Sequence, residues 1–170
     1  TGVQTCALPI CMTRWLNEDE QRAWRAWVAA ATLLPDRLDR DLQEKWGYSM
    51  ADYIILMTLS EAPEHRLRMS ELADATLASR SRLSHQIDRL RADGLVDRRP
   101  CEDDRRGAYA VLTPAGLDLL RSMSHDHVES VRTHLVDRLD PEQFTELGRL
   151  SREIAEPLKR GKGWWWEERI

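Results

Sequence analysis

The sequence has no run of roughly 18 or more apolar residues, the length a membrane-spanning helix requires. Nor does a charged start lead into an apolar stretch and a cleavage site, so the expectation is a soluble, cytoplasmic protein with no membrane partner. The three cysteines, Cys6, Cys11 and Cys101, are too few and too unevenly spaced for a disulfide framework or a cysteine-rich metal site. Phosphate loop, Rossmann glycine pattern, nucleophile elbow and zinc-protease motif are all missing, and no serine, histidine and aspartate arrangement is suggested by spacing. These absences argue against an enzyme and supply no catalytic residue, cofactor or metal.

What is present is a chain of 170 residues, enough for one domain with a core or a small domain with helical extensions. Its net charge of −4 hides an uneven distribution, because ten arginines face eight acids between Arg66 and Arg106. A cationic face, where one exists, therefore lies in the middle of an otherwise acidic chain. The opening TGVQTCALPI shows no helical or strand period, and codons can be chosen for it that spell a common short-read sequencing adapter. Residues 1–11 are accordingly read as a translated artefact or a disordered leader, with the natural start near Met12.

From Asn17 to Trp46 the apolar residues Trp24, Trp27, Val28, Ala31 and Leu34 follow a helical period, and Pro35 predicts a bend or break. Gly47 is a stop and Ser49 an N-cap for a short, mostly buried helix carrying Tyr53, Ile54, Leu56 and Met57. In RMSELADATLASRSRLSHQIDRLRADG, Ser70 is expected to cap one short helix and Ser79 a second that ends at Gly94. Leu83, Ile87 and Leu90 form one stripe of that second helix, which leaves Ser81, Arg82, His85, Asp88 and Arg89 opposite. Two short helices with a tight turn, the second presenting polar and basic residues, meet the requirements of a helix-turn-helix.

LVDRRP and GAYAVLT, on either side of a charged tip, read as a two-stranded hairpin. Thr113 and Pro114 then start a helix running to about Arg138. Asp140, Pro141 and Gln143 write a capping box for a last helix ending near Lys159, and no role follows from the residues of the tail Trp164, Trp165 and Trp166. The predicted organisation is an N-terminal helical region at 12–46, a winged lobe at 47–112, further helices at 113–160 and a tail at 161–170. The fold class is mainly α with a small β-hairpin wing.

DRRGAYAVLTPAG, from Asp104 to Gly116, resembles the wing signature of the MarR family of winged helix-turn-helix transcription regulators. SELADATLASRSRLSHQIDRLRADGLVDR resembles that family's helix-turn-helix, and the two parts stand in the family's order and spacing. The likeness covers about residues 15 to 160. It implies a homodimer whose N- and C-terminal helices interlock while two winged lobes reach a pseudo-palindromic operator in double-stranded DNA. Ser79, Ser81, Arg82, Ser84, His85 and Arg89 would then face the major groove or its phosphates. Arg98, Arg99, Arg105 and Arg106 would serve the wing, with Asp104 in the place of the aspartate that braces the wing arginine, here Arg106.

The resemblance also implies an effector, often aromatic or phenolic, bound between the dimerisation helices and the winged lobe. Candidate lining is Trp24, Trp27, Trp46, Tyr53 and Met57, although aromatic residues at helical spacing more often pack a core. A redox switch is disfavoured, since no cysteine lies between Cys11 and Cys101, and Cys101 sits beside three acids at the hairpin tip. A metal switch through His125, His127 and His134 lacks supporting cysteines, and His125 points away from the other two. A winged helix used only for protein contacts is the remaining alternative, against which the basic second helix argues.

Overall fold

A computed structural model of the chain describes residues 14–101 and 107–158. Up to Asp36 the chain forms one unit, and from Arg37 onward it forms another. In the first, helix α1 (Glu18–Trp46) begins at a reciprocal cap in which Glu20 N–H donates to Asn17 Oδ1 (2.9 Å) and Asn17 N–H donates to Glu20 Oε2 (2.8 Å). Trp24, Trp27, Val28 and Leu33 are exposed along this part of the helix. Pro35 does not end it, contrary to the expectation of a break. A proline removes one amide donor, and a helix of 29 residues retains its other hydrogen bonds.

The second unit holds the core. Leu42 on the last turns of α1 is buried, and Gly47 at φ +75° supplies the left-handed residue that turns the chain. Ser49 then caps α2 (Met50–Glu61), whose Tyr53, Ile55, Leu56, Thr58 and Leu59 are all buried. Around it stand α3 (Met69–Ala75) with Leu72 and Ala73, and α4 (Arg80–Ala92) with Leu83, Ile87 and Leu90. Ser79 caps α4 as expected, but α3 starts two residues earlier than its serine suggested, with Arg68 in the cap position. There the Glu71 carboxylate accepts from the Arg68 N–H at 3.1 Å, and Ser70 is exposed.

Three antiparallel strands, ordered β1 (Arg66–Arg68), β3 (Ala108–Leu112), β2 (Val96–Pro100), flank the helices. The hairpin β2–β3 was legible, while β1, three residues long, is too short to show an alternating pattern. Cys101 lies just past β2, buried, with its N–H donating to Gly107 O at 3.1 Å. It thus stands at the tip end of the ladder, as its place in the sequence suggested, but buried.

Helix α5 (Pro114–His134) starts at Thr113, whose hydroxyl accepts from the Gly116 N–H (3.0 Å) and donates to Gly94 O (2.8 Å). Gly116 is a packing requirement, because a Cβ there would stand 2.2 Å from Leu95 O. Near Arg138 the chain tightens into a 3-10 turn, Val136–Arg138, so α5 ends a turn sooner than its apolar period suggested. Asp140 and Gln143 make the expected capping box of α6 (Pro141–Ala155), and none of that helix is buried. Its Phe144, Leu150 and Ile154 are exposed. Among the described residues no helix is long and apolar enough to cross a membrane.

Candidate nucleic-acid interface

The buried stripe of α4 decides what its other side can offer. With Leu83, Ile87 and Leu90 wholly inside, Ser79, Ser81, Arg82 and His85 are exposed, and Ser84 is half-buried. The Ser79 hydroxyl accepts from the Arg82 N–H at 3.3 Å, which fixes the first turn of the helix. Arg82 borders a small cleft of about 120 Å³ that also touches Ile54 of α2 and Leu77 in the α3–α4 turn.

Beside the start of α4 lies a larger cleft of about 430 Å³, lined by Arg68, Ser70, Arg80, Ser84, Arg98 and Gly107 among others. Its three guanidinium groups come from the N-cap of α3, the first residue of α4 and the middle of β2. The amide end of α4 adds partial positive charge at the same place. Such a cleft suits a phosphate. Of its lining, Ser84 and Arg98 were anticipated and Arg68, Ser70 and Arg80 were not. No local signal marked them, because Arg66-Leu67-Arg68 is too short to read as a strand.

The strands steady these cations on an aromatic ring and on carboxylates, among them Glu64, whose Oε2 is 2.8 Å from Arg66 Nη2. Arg66 and Arg68 stand over the Tyr109 ring, 5.1 and 5.6 Å from its centre. Arg98 Nη1 lies 3.8 Å from Asp88 Oδ1, and Arg99 Nη2 lies 3.5 Å from Asp97 Oδ2, both in exposed settings where ion pairs are weak. Asp104, Arg105 and Arg106, the remaining wing residues anticipated from sequence, lie outside the described residues.

Arg89 is placed differently from the rest of its group. Its Nη2 donates to Asp52 Oδ2 at the start of α2, and that bond raises the guanidinium pKa. One turn on, the Tyr48 hydroxyl donates to Asp93 Oδ2 at 3.3 Å, and burial followed by the nearby Asp93 carboxylate pushes the phenol pKa up.

The five aromatic and thioether candidates for an effector pocket fall in different units. Trp24 and Trp27 belong to the first, while Trp46, Tyr53 and Met57 belong to the second, where they join or pack on the core. Their polar atoms have partners: Trp46 Nε1 donates to Asp126 Oδ2 (2.8 Å), and the Tyr53 hydroxyl pairs with Ser124 Oγ (3.2 Å). The bond from Lys45 to the same Asp126 keeps that carboxyl below the usual carboxylate range.

The histidines of α5 also separate. The His127 ring packs on Tyr53 with centres 4.6 Å apart, and burial lowers its pKa, whereas His134 Nε2 is 3.6 Å from Asp41 Oδ2. His125, Asp126 and Glu129 bring one ligand atom each within 4.8 Å of one another. One of the three, Asp126, already pairs with the Lys45 ammonium at 2.6 Å.

Comparison with known proteins bears on the whole arrangement. The profile of the MarR family matches residues 46–107, which hold the helix-turn-helix and the first hairpin strand, β2. Sco3205 of Streptomyces coelicolor, a MarR family transcriptional regulator solved in complex with DNA, is 45% identical, with a TM-score of 0.83 over 89% of this chain and 94% of that one. AbsC, a second MarR family regulator of Streptomyces coelicolor, is 51% identical, with a TM-score of 0.80 over 86% of this chain and 98% of that one. The HTH-type transcriptional repressor YetL of Bacillus subtilis is 30% identical over 97 residues, 57% of this chain and 58% of that protein.

Proposed function

Because this chain belongs to the MarR family of transcriptional regulators, we propose that it is a homodimeric repressor that binds a pseudo-palindromic DNA operator and is released by a small aromatic effector. Sequence-specific DNA binding follows from the family, and a regulator of this kind acts by occupancy rather than by catalysis. The observation that carries the reading is the exposed face of Ser81, Arg82 and His85 beside the cleft of Arg68, Arg80 and Arg98. In it, Arg82, Ser81 and His85 meet base edges in the major groove, and the cleft holds a backbone phosphate.

Dimerisation accounts for the uncovered apolar residues of α1 and α6, which otherwise leave Trp24, Trp27, Phe144 and Ile154 in water. Two copies place two α4 helices about one turn of DNA apart, roughly 34–36 Å. YetL supports repression as the sign of regulation. For the effector, the candidate contacts in the core are Trp46, Tyr53 and Met57, and a ligand there competes with Asp126 and Ser124 for the indole and phenol protons.

Selection of bound duplexes from a random pool at near-physiological salt tests the proposal. An inverted repeat bound by two chains is the expected result. Weak binding erased by salt, without an enriched motif, would overturn it.

A further inference from the structure

Arg89 carries an inference that rests on the operator-binding reading above. It stands seven residues after Arg82, two turns along the same face of α4, about 10 Å further along the axis. By position alone it belongs with the DNA-facing cations. Its guanidinium is instead turned to Asp52, a carboxylate 0% exposed and located in the first turn of α2.

Asp52 is not a surface partner that solvent could replace. Its Oδ2 accepts from Ser49 N–H (2.8 Å) and Ser49 O–H (2.6 Å) as well as from Arg89, and its Oδ1 is buried without a hydrogen bond. A carboxylate removed from water in this way requires a cation, and Arg89 is the cation that reaches it. The remaining tie is Tyr48 to Asp93, the C-cap of α4. The C-terminal end of α4 is therefore held by charge and hydrogen bonds to the corner between α1 and α2, while its N-terminal end carries Ser79, Arg82 and His85 outward.

We infer that Arg89 is a positioning residue: through Asp52 it sets the rotation of α4 about its own axis, and so the aim of Arg82 and His85, without itself contacting DNA. A helix anchored at one end on the face that reads DNA at the other has little freedom to roll. Release of that anchor lets the reading residues turn away from the groove, and every operator sequence is affected alike.

The test is a double-mutant cycle on the intact protein with Asp52→Asn, Arg89→Gln and the pair, plus Arg89→Lys, titrating the duplex enriched by selection. Asp52→Asn keeps an oxygen for the Ser49 cap and removes the charge. Each single variant is expected to weaken binding on the order of tenfold, and the double variant no more than either, because both break one connection. Arg89→Lys is expected to recover part of the loss. The slope of log affinity against log salt and the relative preference among single-base operator variants are expected to stay at wild-type values. A slope lower by about one, or a preference relaxed at one position, in Arg89→Gln while Asp52→Asn binds like wild type, would overturn the inference and make Arg89 a DNA contact.

Amide exchange of α4 in the free protein separates this from failure of the operator reading. Asp52→Asn and Arg89→Gln are expected to speed exchange over Ile87–Asp93 to the same degree, whether or not wild type enriches a duplex. Unchanged exchange in both variants would reject the anchor on its own.

Discussion

The lobe around α4 and the helices at its flanks treat apolar and charged residues in opposite ways. In the lobe, Leu56, Leu59, Leu72, Leu83, Ile87 and Leu90 are wholly buried, while Arg80 and Arg82 stand outside. Along the front of α1 and along α6 the apolar residues are the ones left outside. There the charges are settled locally, as with Arg22 on Asp19 and Arg149 on Glu146 and Glu153. A surface with uncommitted cations suits a polyanion, and one with paired charges and bare apolar side chains suits another protein surface.

The sharpest way to break this contrast is to cut into each side. Leu83→Ala is expected to cost about 2–5 kcal/mol, because a fully buried leucine leaves a cavity behind. Its thermal midpoint should shift by the same amount at every protein concentration. Phe144→Glu with Ile154→Glu should instead leave the lobe folded and give a single-chain mass by sedimentation, with operator affinity falling through loss of the second lobe. If that variant stays dimeric, the apolar face of α6 is not the interface.

Within the lobe the contrast sharpens to two arginines. Replacing Arg82 with Ala should cost roughly 1–3 kcal/mol of operator affinity and relax preference at one position, the behaviour of a base contact. Replacing Arg80 with Ala should weaken binding to all sequences evenly and lower the salt slope by about one, as expected of a residue lining a phosphate cleft. Titrations over a salt series on a panel of single-base operator variants distinguish them. Identical profiles for both would remove the division between reading face and cleft.

Much of this arrangement is legible in local chemistry. Caps at Ser49, Ser79, Thr113 and Asp140 and turns at Gly47 and Gly94 announce themselves, because each satisfies an amide or a backbone angle within a few residues of itself. The partner of Arg89 does not, since Asp52 lies 37 residues away and helical phase alone assigned the arginine to the DNA face. Arg68 and Arg80 escaped for the same reason, as their cleft is closed by β2 and exists only after the sheet pairs. Gly116 is an intermediate case. Its place in the wing signature was visible, but the reason, the approach of Leu95 O, is a contact across 21 residues of sequence.

The smallest effect concerns His127, which links the lobe's core to pH. Its ring lies against Tyr53, and burial lowers its pKa from the ordinary 6.5 because the imidazolium loses its hydration. In the unfolded chain the ring titrates near the ordinary value, so below that pH the unfolded state takes up a proton that the folded state resists. The contribution of His127 is complete above pH 6.5 and is lost as pH falls from there toward the lower folded value. The chain has 5 histidines, so the comparison has to be made against His127→Phe, which keeps an aromatic ring on Tyr53 and cannot titrate. Thermal midpoints measured from about pH 7.5 to 5 should fall less steeply in that variant than in wild type. Parallel curves would mean that the ring accepts its proton in place, and that the contact between α2 and α5 does not respond to acid.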